Sequence, residues 1–228
     1  MRFTDGSTLE KKMPDCFIVA GPPRSGTSLV AGLLHRLGVC MGSESGFLPA
    51  NENNPTGYYE DSNFVFLNDA IIEKAGGTVW NPPSRNQVNN IIANPNLSAR
   101  LQYLLQQRER EEPWGWKDPR NCITVHAYLE HCNPGIIVCN RDPVLIAESM
   151  MLFNEGLEHK EAFNLATEYY ERIIGAIRSE DLPYLIMHHE LTLMDPQAAV
   201  SELMKFARVE SHPDLIQDAI EFVVPPCR

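Results

Sequence analysis

Three short apolar runs stand out along the chain, at Cys16–Ala20, Gly135–Cys139 and Tyr184–His188. Within each run, apolar residues follow one another instead of alternating with polar ones. Continuous runs of this length are typical of strands that are covered on both faces, as in a parallel sheet. The pattern therefore predicts three strands of one buried parallel sheet.

Between and after these runs, apolar residues recur every three or four positions, which is the spacing of one helix face. Asp195 and Pro196 have the residue types of a helix cap and a first helical residue. Strands that alternate with helices indicate an α/β fold, a three-layer sandwich with a central parallel sheet and right-handed crossovers. The four stripes that predict helices are Leu29, Leu33, Leu34 and Leu37; Leu97, Leu101, Leu104 and Leu105; Ala162, Leu165, Tyr169, Ile173 and Ile177; and Val200, Leu203, Met204 and Ala207.

Two stretches lack a regular pattern of apolar residues. Gly42–Thr56 is polar, and Asn81–Asn96 contains three prolines and six asparagines. Long irregular connections often carry function. Each stretch is therefore predicted to be either a surface loop or a lid over a site.

The length of 228 residues suits one domain, so we expect a single domain over 1–228. A net charge of −11 argues against a general nucleic-acid-binding protein, although a local pocket can still hold one anion. The sequence has no apolar run of the roughly 18 residues that suggest a membrane span, and Met1–Pro14 is too polar for a secretory signal. The six cysteines form no C-x-x-C pair and no zinc-ligand spacing. We therefore expect a cytoplasmic monomer or homodimer without a structural metal.

The segment Gly21–Ser28, with the sequence GPPRSGTS, connects the first predicted strand to the first predicted helix. A glycine-bearing turn into a helix N-terminus directs unpaired N–H groups and the positive end of the helix dipole at one point, which favours an anion. The spacing Gly-x4-Gly is that of a nucleotide-binding P-loop, but Thr27 stands where the P-loop lysine would be, and the basic residue is Arg24. An anion-binding loop is therefore favoured over a plain turn, and an ATPase or GTPase is disfavoured.

The order Gly-x-Pro-Arg-Ser-Gly-Thr-Ser after a first strand resembles the 5′-phosphosulfate loop of the sulfotransferases that use 3′-phosphoadenosine 5′-phosphosulfate (PAPS). This resemblance implies a fold like that of the P-loop nucleotide hydrolases, without their lysine. It also implies which loop positions bind the donor: Pro23, Arg24, Ser25, Gly26, Thr27 and Ser28.

A second segment extends the resemblance to the other end of the nucleotide. Arg141 follows the second predicted strand, and Ser149 comes eight residues later. In the sulfotransferases an arginine and a serine at these places hold the 3′-phosphate, and a guanidinium suits this task because it offers a forked set of donors. The resemblance implies this role for Arg141 and Ser149, although Arg-Asp-Pro alone is also a common helix start.

Lys117 lies in the segment Trp114–Arg120, whose Lys-Asp-Pro-Arg resembles a Lys-x-Pro segment of protein-tyrosine and bacterial-type sulfotransferases. The lysine there helps to neutralise charge on the bridging oxygen and the transferring group. The resemblance implies this catalytic role for Lys117, together with Arg24. The alternative is a surface lysine. His189, after the third strand, is placed as a possible neighbour of the nucleotide.

Two glutamates are candidates for the general base, and the alternative that neither of them is the base stays open. Glu44 stands about twenty residues after the loop arginine, as in the protein-tyrosine type. Glu60 lies in the segment Asn54–Asp61, which resembles an Asn-Pro-x-Gly-Tyr-x-Glu stretch of bacterial-type members. The histidine base of steroid and phenol members has no good counterpart among His35, His126 and His131.

The resemblance implies an enzyme that moves a sulfuryl group from PAPS to a hydroxyl or amine of a small-molecule or carbohydrate acceptor, without a metal, and releases 3′,5′-adenosine bisphosphate. The acceptor pocket is expected in Gly42–Asp61 and Asn81–Asn96, with Trp80, Tyr58 and Tyr59 either as walls or as core. Cytosolic members carry an Arg-Lys-Gly segment near the C-terminus that contacts the nucleotide. We find no such segment in this sequence, so we expect either that another part contacts the nucleotide or that the affinity for it is lower. Two alternatives stay open: a P-loop nucleotide kinase or hydrolase, and a nucleotide-binding protein without catalysis.

Overall fold

The computed structural model describes residues 14–109 and 111–223. Within them, four strands form one parallel sheet in the order β2-β1-β3-β4. All three predicted strands are present, and one more is found between the first two along the chain. The first two predicted strands are buried as expected, but the expectation of burial is wrong for the third, because it is an edge strand in which Tyr184 and Ile186 are exposed. The strands are β1 (Cys16–Ala20), β2 (Gly115–Lys117), β3 (Pro134–Asn140) and β4 (Tyr184–His188).

Helices cover both faces of the sheet, which confirms the three-layer α/β architecture. In chain order they are α1 (Thr27–Arg36), α2 (Ser62–Lys74), α3 (Arg85–Ile92), α4 (Pro95–Arg108), α5 (Asn121–Thr124), α6 (Pro143–Met151), α7 (His159–Ser179), α8 (His189–Met194), α9 (Pro196–Ala207) and α10 (Pro213–Phe222). Phe17 and Val19 of β1 pack with α1, α9 and α10, while Ile18 and Ala20 pack on the other face with α2 to α7.

The four apolar stripes lie in α1, α4, α7 and α9, as predicted. The predicted cap of α9 is also present, because the side chain of Asp195 accepts a hydrogen bond from the N–H of Ala198 at 3.0 Å. The prediction of an irregular stretch over Asn81–Asn96 is wrong, since it contains α3 and the start of α4. Ser84 and Gln87 form a capping box at α3, which fixes the helix start despite the many asparagines.

The strands all run in one direction, so their carboxyl ends lie along one edge of the sheet. The residues that directly follow them are Gly21 after β1, Asp118 after β2, Arg141 after β3 and His189 after β4. In open α/β sheets, ligands bind in the crevice outside this edge. The topology therefore brings the loop Gly21–Ser28, the segment Trp114–Arg120 and the turn at Arg141 to the same edge of the sheet.

Among the described residues, no helix has the length and apolar character that a membrane crossing requires. Five cysteines in this part of the chain are free thiols, namely Cys16, Cys40, Cys122, Cys132 and Cys139. Cys227 lies outside the described residues.

Candidate functional site

A cavity of about 430 Å³ opens at the carboxyl edge of the sheet. Its volume lies in the range of small-molecule sites, roughly 300–1,000 Å³. The loop after β1, the end of β2, the turn after β3 and the start of α8 all contribute to its walls. The predicted site residues among these walls are Pro23, Arg24, Gly26, Thr27, Ser28, Glu60, Lys117 and Arg141.

The loop after β1 leads into α1 through Gly26. This residue is the N-cap of α1 and has a φ of +92°, and no described side chain caps the first turn. A Cβ at Gly26 would lie 2.5 Å from Nδ1 of His189. Glycine therefore lets His189 pack directly on the loop, and the first N–H groups of α1 stay available to an anion.

We expect Gly26→Ala to lower the free energy of unfolding by about 1–3 kcal/mol more than Gly38→Ala, because only the first change creates an overlap. Both glycines have a φ of +92°, so both variants place a Cβ on a left-handed backbone. Around a Cβ at Gly38, no described atom lies within 4 Å. Urea unfolding of the two variants measures the difference, and equal losses would contradict the packing of His189 on the loop.

Ser25 differs from the other hydroxyl residues of the loop. Its side chain is fully buried, and its Oγ has no hydrogen-bond partner among the described residues. Thr27 and Ser28, by contrast, line the cavity. The side chains of Thr27 and Ser28 can therefore take the predicted binding role. The side chain of Ser25 is buried and does not line the cavity.

Glu60 and Lys117 form a buried ion pair at the cavity wall. Nζ of Lys117 donates to Oε1 of Glu60 at 2.5 Å and to Oγ of Ser28 at 3.3 Å. The two side chains are 7% and 2% exposed, so Lys117 is not a surface lysine. An ion pair this deep is retained only when each charge compensates the other, because both have lost their hydration. Lys117 thus contacts both Glu60, a candidate base, and Ser28 of the loop Gly21–Ser28.

Arg120 holds the second oxygen of Glu60. Its Nη1 lies 3.6 Å from Oε2 of Glu60 and 3.0 Å from Oδ1 of Asp118, and its Nε lies 2.5 Å from Oδ1 of Asp69. Burial lowers the pKa of Arg120, but these three carboxylates outweigh burial and raise it. The carboxylate of Glu60 is therefore fixed between two cations. The sequence gives no role to Arg120, although it ends the Lys-Asp-Pro-Arg segment.

Arg24, Arg141 and Ser149 form one cluster. Nε of Arg24 donates to Oγ of Ser149 at 3.0 Å, and Nη1 of Arg141 donates to the backbone oxygen of Arg24 at 2.9 Å. The Arg24 guanidinium also lies 4.1 Å from the centre of the Phe153 ring. The structure therefore brings together the two residues expected at a 3′-phosphate and adds the loop arginine to them.

Tyr170 fixes the turn that carries Arg141. Its hydroxyl donates to the backbone oxygen of Cys139 at 3.1 Å and accepts from the N–H of Arg141 at 2.9 Å. Burial raises the pKa of Tyr170, so the hydroxyl keeps its proton. Nε of Arg141 is buried without a hydrogen-bond partner among the described residues, and Oε1 of Glu190 lies 3.8 Å from it. A buried donor without a hydrogen bond is costly, and Glu190 compensates its charge only from this longer distance.

Glu44 lies at a different cavity, of about 440 Å³, which it lines with His35 and Arg36. It belongs to a short turn of 3-10 helix and is exposed. The two cavities share the wall residues Thr56 and Tyr58. The structure therefore places Glu60, and not Glu44, beside Lys117.

The expected acceptor segments have different locations. The stretch Gly42–Asp61 contributes walls to both cavities, including Tyr58 at both and Tyr59 at the second. The stretch Asn81–Asn96 contributes to neither, and Trp80 packs against the core. No group of three histidine, cysteine, aspartate or glutamate side chains within 14–109 and 111–223 is arranged to hold a metal ion.

His189 is held in its neutral form. Burial lowers its pKa, and Arg141 lowers it further, while Glu190 raises it. The unfolded chain takes up a proton below about pH 6.5 that the folded protein resists, so this residue makes the protein less stable as the pH falls.

We expect the free energy of unfolding to fall less between pH 7.5 and pH 5.5 in His189→Gln than in the unchanged protein. The pKa values of His35 and His126 are also lowered by burial, and both histidines remain in the variant, so they act as an internal reference. Urea unfolding at the two pH values measures the difference. The same loss in both proteins would contradict a depressed pKa at His189.

No family model matches the chain, and no curated protein matches it in sequence. Among solved structures, it is similar to the sulfotransferase domain from the Synechococcus PCC 7002 olefin synthase, with 20% identity, a TM-score of 0.56, and coverage of 92% of this chain and 78% of that chain. It is also similar to the sulfotransferase domain from the curacin biosynthetic pathway, with 17% identity, a TM-score of 0.56, and coverage of 90% and 77%. The chain therefore has the fold of these sulfotransferase domains, which confirms the α/β fold that the loop sequences imply.

Proposed function

We propose that this protein is an enzyme that transfers a sulfuryl group from PAPS to a hydroxyl or amine of an acceptor, and that it releases 3′,5′-adenosine bisphosphate. One observation carries the proposal. A single cavity combines the N-terminus of α1, the side chain of Arg141, and the ion pair of Glu60 and Lys117. The fold shared with the two sulfotransferase domains supports the same choice.

The residues present fit a nucleotide with an anionic group at each end. The first N–H groups of α1 and the hydroxyls of Thr27 and Ser28 suit the 5′ end. Arg141, which lines the cavity, and Ser149, which contacts Arg24 of the loop, suit the 3′-phosphate. When bound, PAPS supplies a sulfuryl group that is activated by its phosphate leaving group.

Lys117 and Glu60 carry the chemistry in this proposal. Nζ of Lys117 lies 3.3 Å from Oγ of Ser28, from where it would stabilise negative charge at the bridging oxygen. Glu60 would accept the proton of the acceptor, and Arg120 keeps its carboxylate in position. Transfer of this kind is an in-line displacement, for which positioning and electrostatic stabilisation supply most of the catalysis.

The second cavity is the proposed entrance for the acceptor. It shares Thr56 and Tyr58 with the first cavity, so an acceptor bound there would extend towards Glu60. Its wall includes the ring of Tyr59, which lies 5.6 Å from the ring of Phe47 and 5.9 Å from that of His35. Rings in this arrangement suit a small molecule or a carbohydrate with a flat apolar face.

We also propose a cytoplasmic location, because free thiols such as those of Cys16 and Cys139 are typical of reducing compartments. In this proposal the protein acts on its acceptor as a monomer or homodimer, and neither nucleic acid nor a membrane takes part.

Incubation with sulfur-labelled PAPS tests the activity. The acceptor panel should contain phenols, aliphatic alcohols, amines and sugars, together with a small-molecule extract of cells. We expect the label to move to at least one acceptor, with one bisphosphate released for each label transferred. Binding of the bisphosphate without transfer to any acceptor, in the panel or in the extract, would instead support a nucleotide-binding protein without catalysis.

We expect Arg141→Ala to weaken binding of 3′,5′-adenosine bisphosphate by about 10- to 100-fold, which corresponds to the loss of one charge-assisted hydrogen bond. Adenosine 5′-phosphosulfate has no 3′-phosphate, so its affinity should fall much less. Calorimetric titration of both nucleotides measures the two losses. Equal losses would contradict the assignment of Arg141 to the 3′-phosphate.

A further inference from the structure

The side chain of Arg24 leaves the phosphate loop and lies against α6. Its Nε donates to Oγ of Ser149 at 3.0 Å, and its guanidinium carbon lies 4.1 Å from the centre of the Phe153 ring. The residue has a φ of +72°, a left-handed conformation that non-glycine residues rarely adopt. The loop therefore holds Arg24 in a strained conformation in which its side chain contacts α6.

The side chain of Arg141 contacts the backbone of Arg24 at this place. Nη1 of Arg141 donates to the backbone oxygen of Arg24 at 2.9 Å. Burial lowers the pKa of Arg24, and Arg141 lowers it further, while Tyr58 raises it. Oε1 of Glu190 lies 3.8 Å from Nε of Arg141, a loose contact for an ion pair. Such a pair of cations is well suited to a dianion, which would bind both and relieve their repulsion.

Ser149 has the correct hydrogen-bonding state to complete the site. Because its Oγ accepts from Nε of Arg24, its own proton remains free to donate to a phosphate oxygen. The two terminal nitrogens of the Arg24 guanidinium also keep a forked set of donors. Arg24 would thus both orient Ser149 and bind the same anion as Ser149.

We propose that Arg24 is a specificity-determining residue, which binds the 3′-phosphate together with Arg141 and Ser149 instead of the transferring sulfuryl group. This inference rests on the proposed function, since it presumes a nucleotide with a 3′-phosphate. The backbone of the loop would still bind the 5′ end through the N-terminus of α1. The cation at the sulfuryl group would be Lys117, whose Nζ lies 3.3 Å from Oγ of Ser28.

One loop arginine could have two roles, either at the transferring sulfuryl group or at the 3′-phosphate. A cation at the transferring group would contribute equally to nucleotides with and without a 3′-phosphate. A cation at the 3′-phosphate would contribute only to the first kind. The ratio of the two affinities therefore reports the location of the Arg24 side chain, and a general loss of folding would not change this ratio selectively.

Calorimetric titration with 3′,5′-adenosine bisphosphate and with AMP tests this inference in the unchanged protein, Arg24→Gln and Arg24→Lys. Glutamine keeps the Cβ, and with it the backbone strain, but removes the charge. We expect Arg24→Gln to weaken the bisphosphate by about 10- to 100-fold and AMP by about threefold or less. Arg24→Lys should retain part of the affinity for the bisphosphate, because it keeps the charge and loses the fork.

An equal loss for both nucleotides would overturn the inference and place Arg24 at the 5′ end. Unchanged affinity for both would overturn it as well. The unchanged protein supplies the separate check on the proposed function, because it must bind the bisphosphate more tightly than AMP. Failure at that step would contradict the proposed function, and this inference with it, before any variant is compared.

Discussion

Replacing Glu60 with glutamine is expected to lower kcat for sulfuryl transfer by about 10²- to 10⁴-fold, the usual contribution of a general base. Glutamine has the same shape but cannot accept the acceptor's proton. Glu44→Gln is the matched control, because Glu44 is exposed at the second cavity and does not contact Lys117. We expect this control to change KM for the acceptor more than kcat. Steady-state kinetics with labelled PAPS measure both constants.

Binding of 3′,5′-adenosine bisphosphate shows whether the Glu60→Gln protein still has an intact donor site. It should bind almost normally, since Glu60 is not proposed to contact the nucleotide. A large loss of kcat in Glu44→Gln, with kcat retained in Glu60→Gln, would show that the base is assigned to the wrong glutamate.

The second large effect is expected from Lys117→Met, which should lower kcat by about 10²- to 10³-fold by removing the cation at the bridging oxygen. This change also leaves Glu60 buried without its closest partner. Breaking a buried ion pair on one side costs about 3–5 kcal/mol, and Arg120 at 3.6 Å offsets part of that loss. We therefore expect lower stability as well as lower activity.

The double variant Glu60→Gln/Lys117→Met separates the two effects of the lysine. It removes both charges, so its free energy of unfolding should recover relative to Lys117→Met, while kcat stays low. Urea unfolding and steady-state kinetics on the same samples measure these quantities. Retention of kcat in Lys117→Met, or recovery of kcat in the double variant, would contradict the catalytic role of Lys117.

The position of the loop Gly21–Ser28 and three of the strands are predictable from the sequence because their signals are local. The runs at β1, β3 and β4 are apolar along their length, and the loop Gly21–Ser28 follows the first of them directly. The short strand β2 gives no such pattern, since three residues are too few to show one. Its existence depends on pairing with β1, which only the folded chain provides.

In the stretch Asn81–Asn96, the sequence predicts an irregular loop, but the structure contains α3 and the start of α4. The asparagines and prolines of this stretch have low helix propensity, so composition predicts a loop. The capping box of Ser84 and Gln87 and the buried side chain of Val88 nevertheless establish α3. The box was visible in the sequence, but nothing local shows that Val88 reaches the core.

The pairing inside the site depends on contacts that no sequence pattern contains. Glu60 lies just before α2 and Lys117 ends β2, so these two residues are 57 positions apart and meet only in the folded chain. Arg120 and Tyr170 also act on residues far from them in the sequence, Arg120 on Glu60 and Tyr170 on the backbone of Arg141. Residue types and spacing indicate the chemistry of the donor, while the choice between Glu60 and Glu44 requires the three-dimensional arrangement.

We propose above all that the loop Gly21–Ser28 and the turn after β3 together hold a nucleotide with a 3′-phosphate. The most direct measurement compares the rise in melting temperature caused by 3′,5′-adenosine bisphosphate with that caused by ATP and magnesium. At a concentration 100 times its Kd, the bisphosphate should stabilise the protein by about 2.7 kcal/mol, or roughly 5–10 °C in Tm. ATP with magnesium should have no comparable effect at the same concentration. A larger shift with ATP and magnesium would contradict the account.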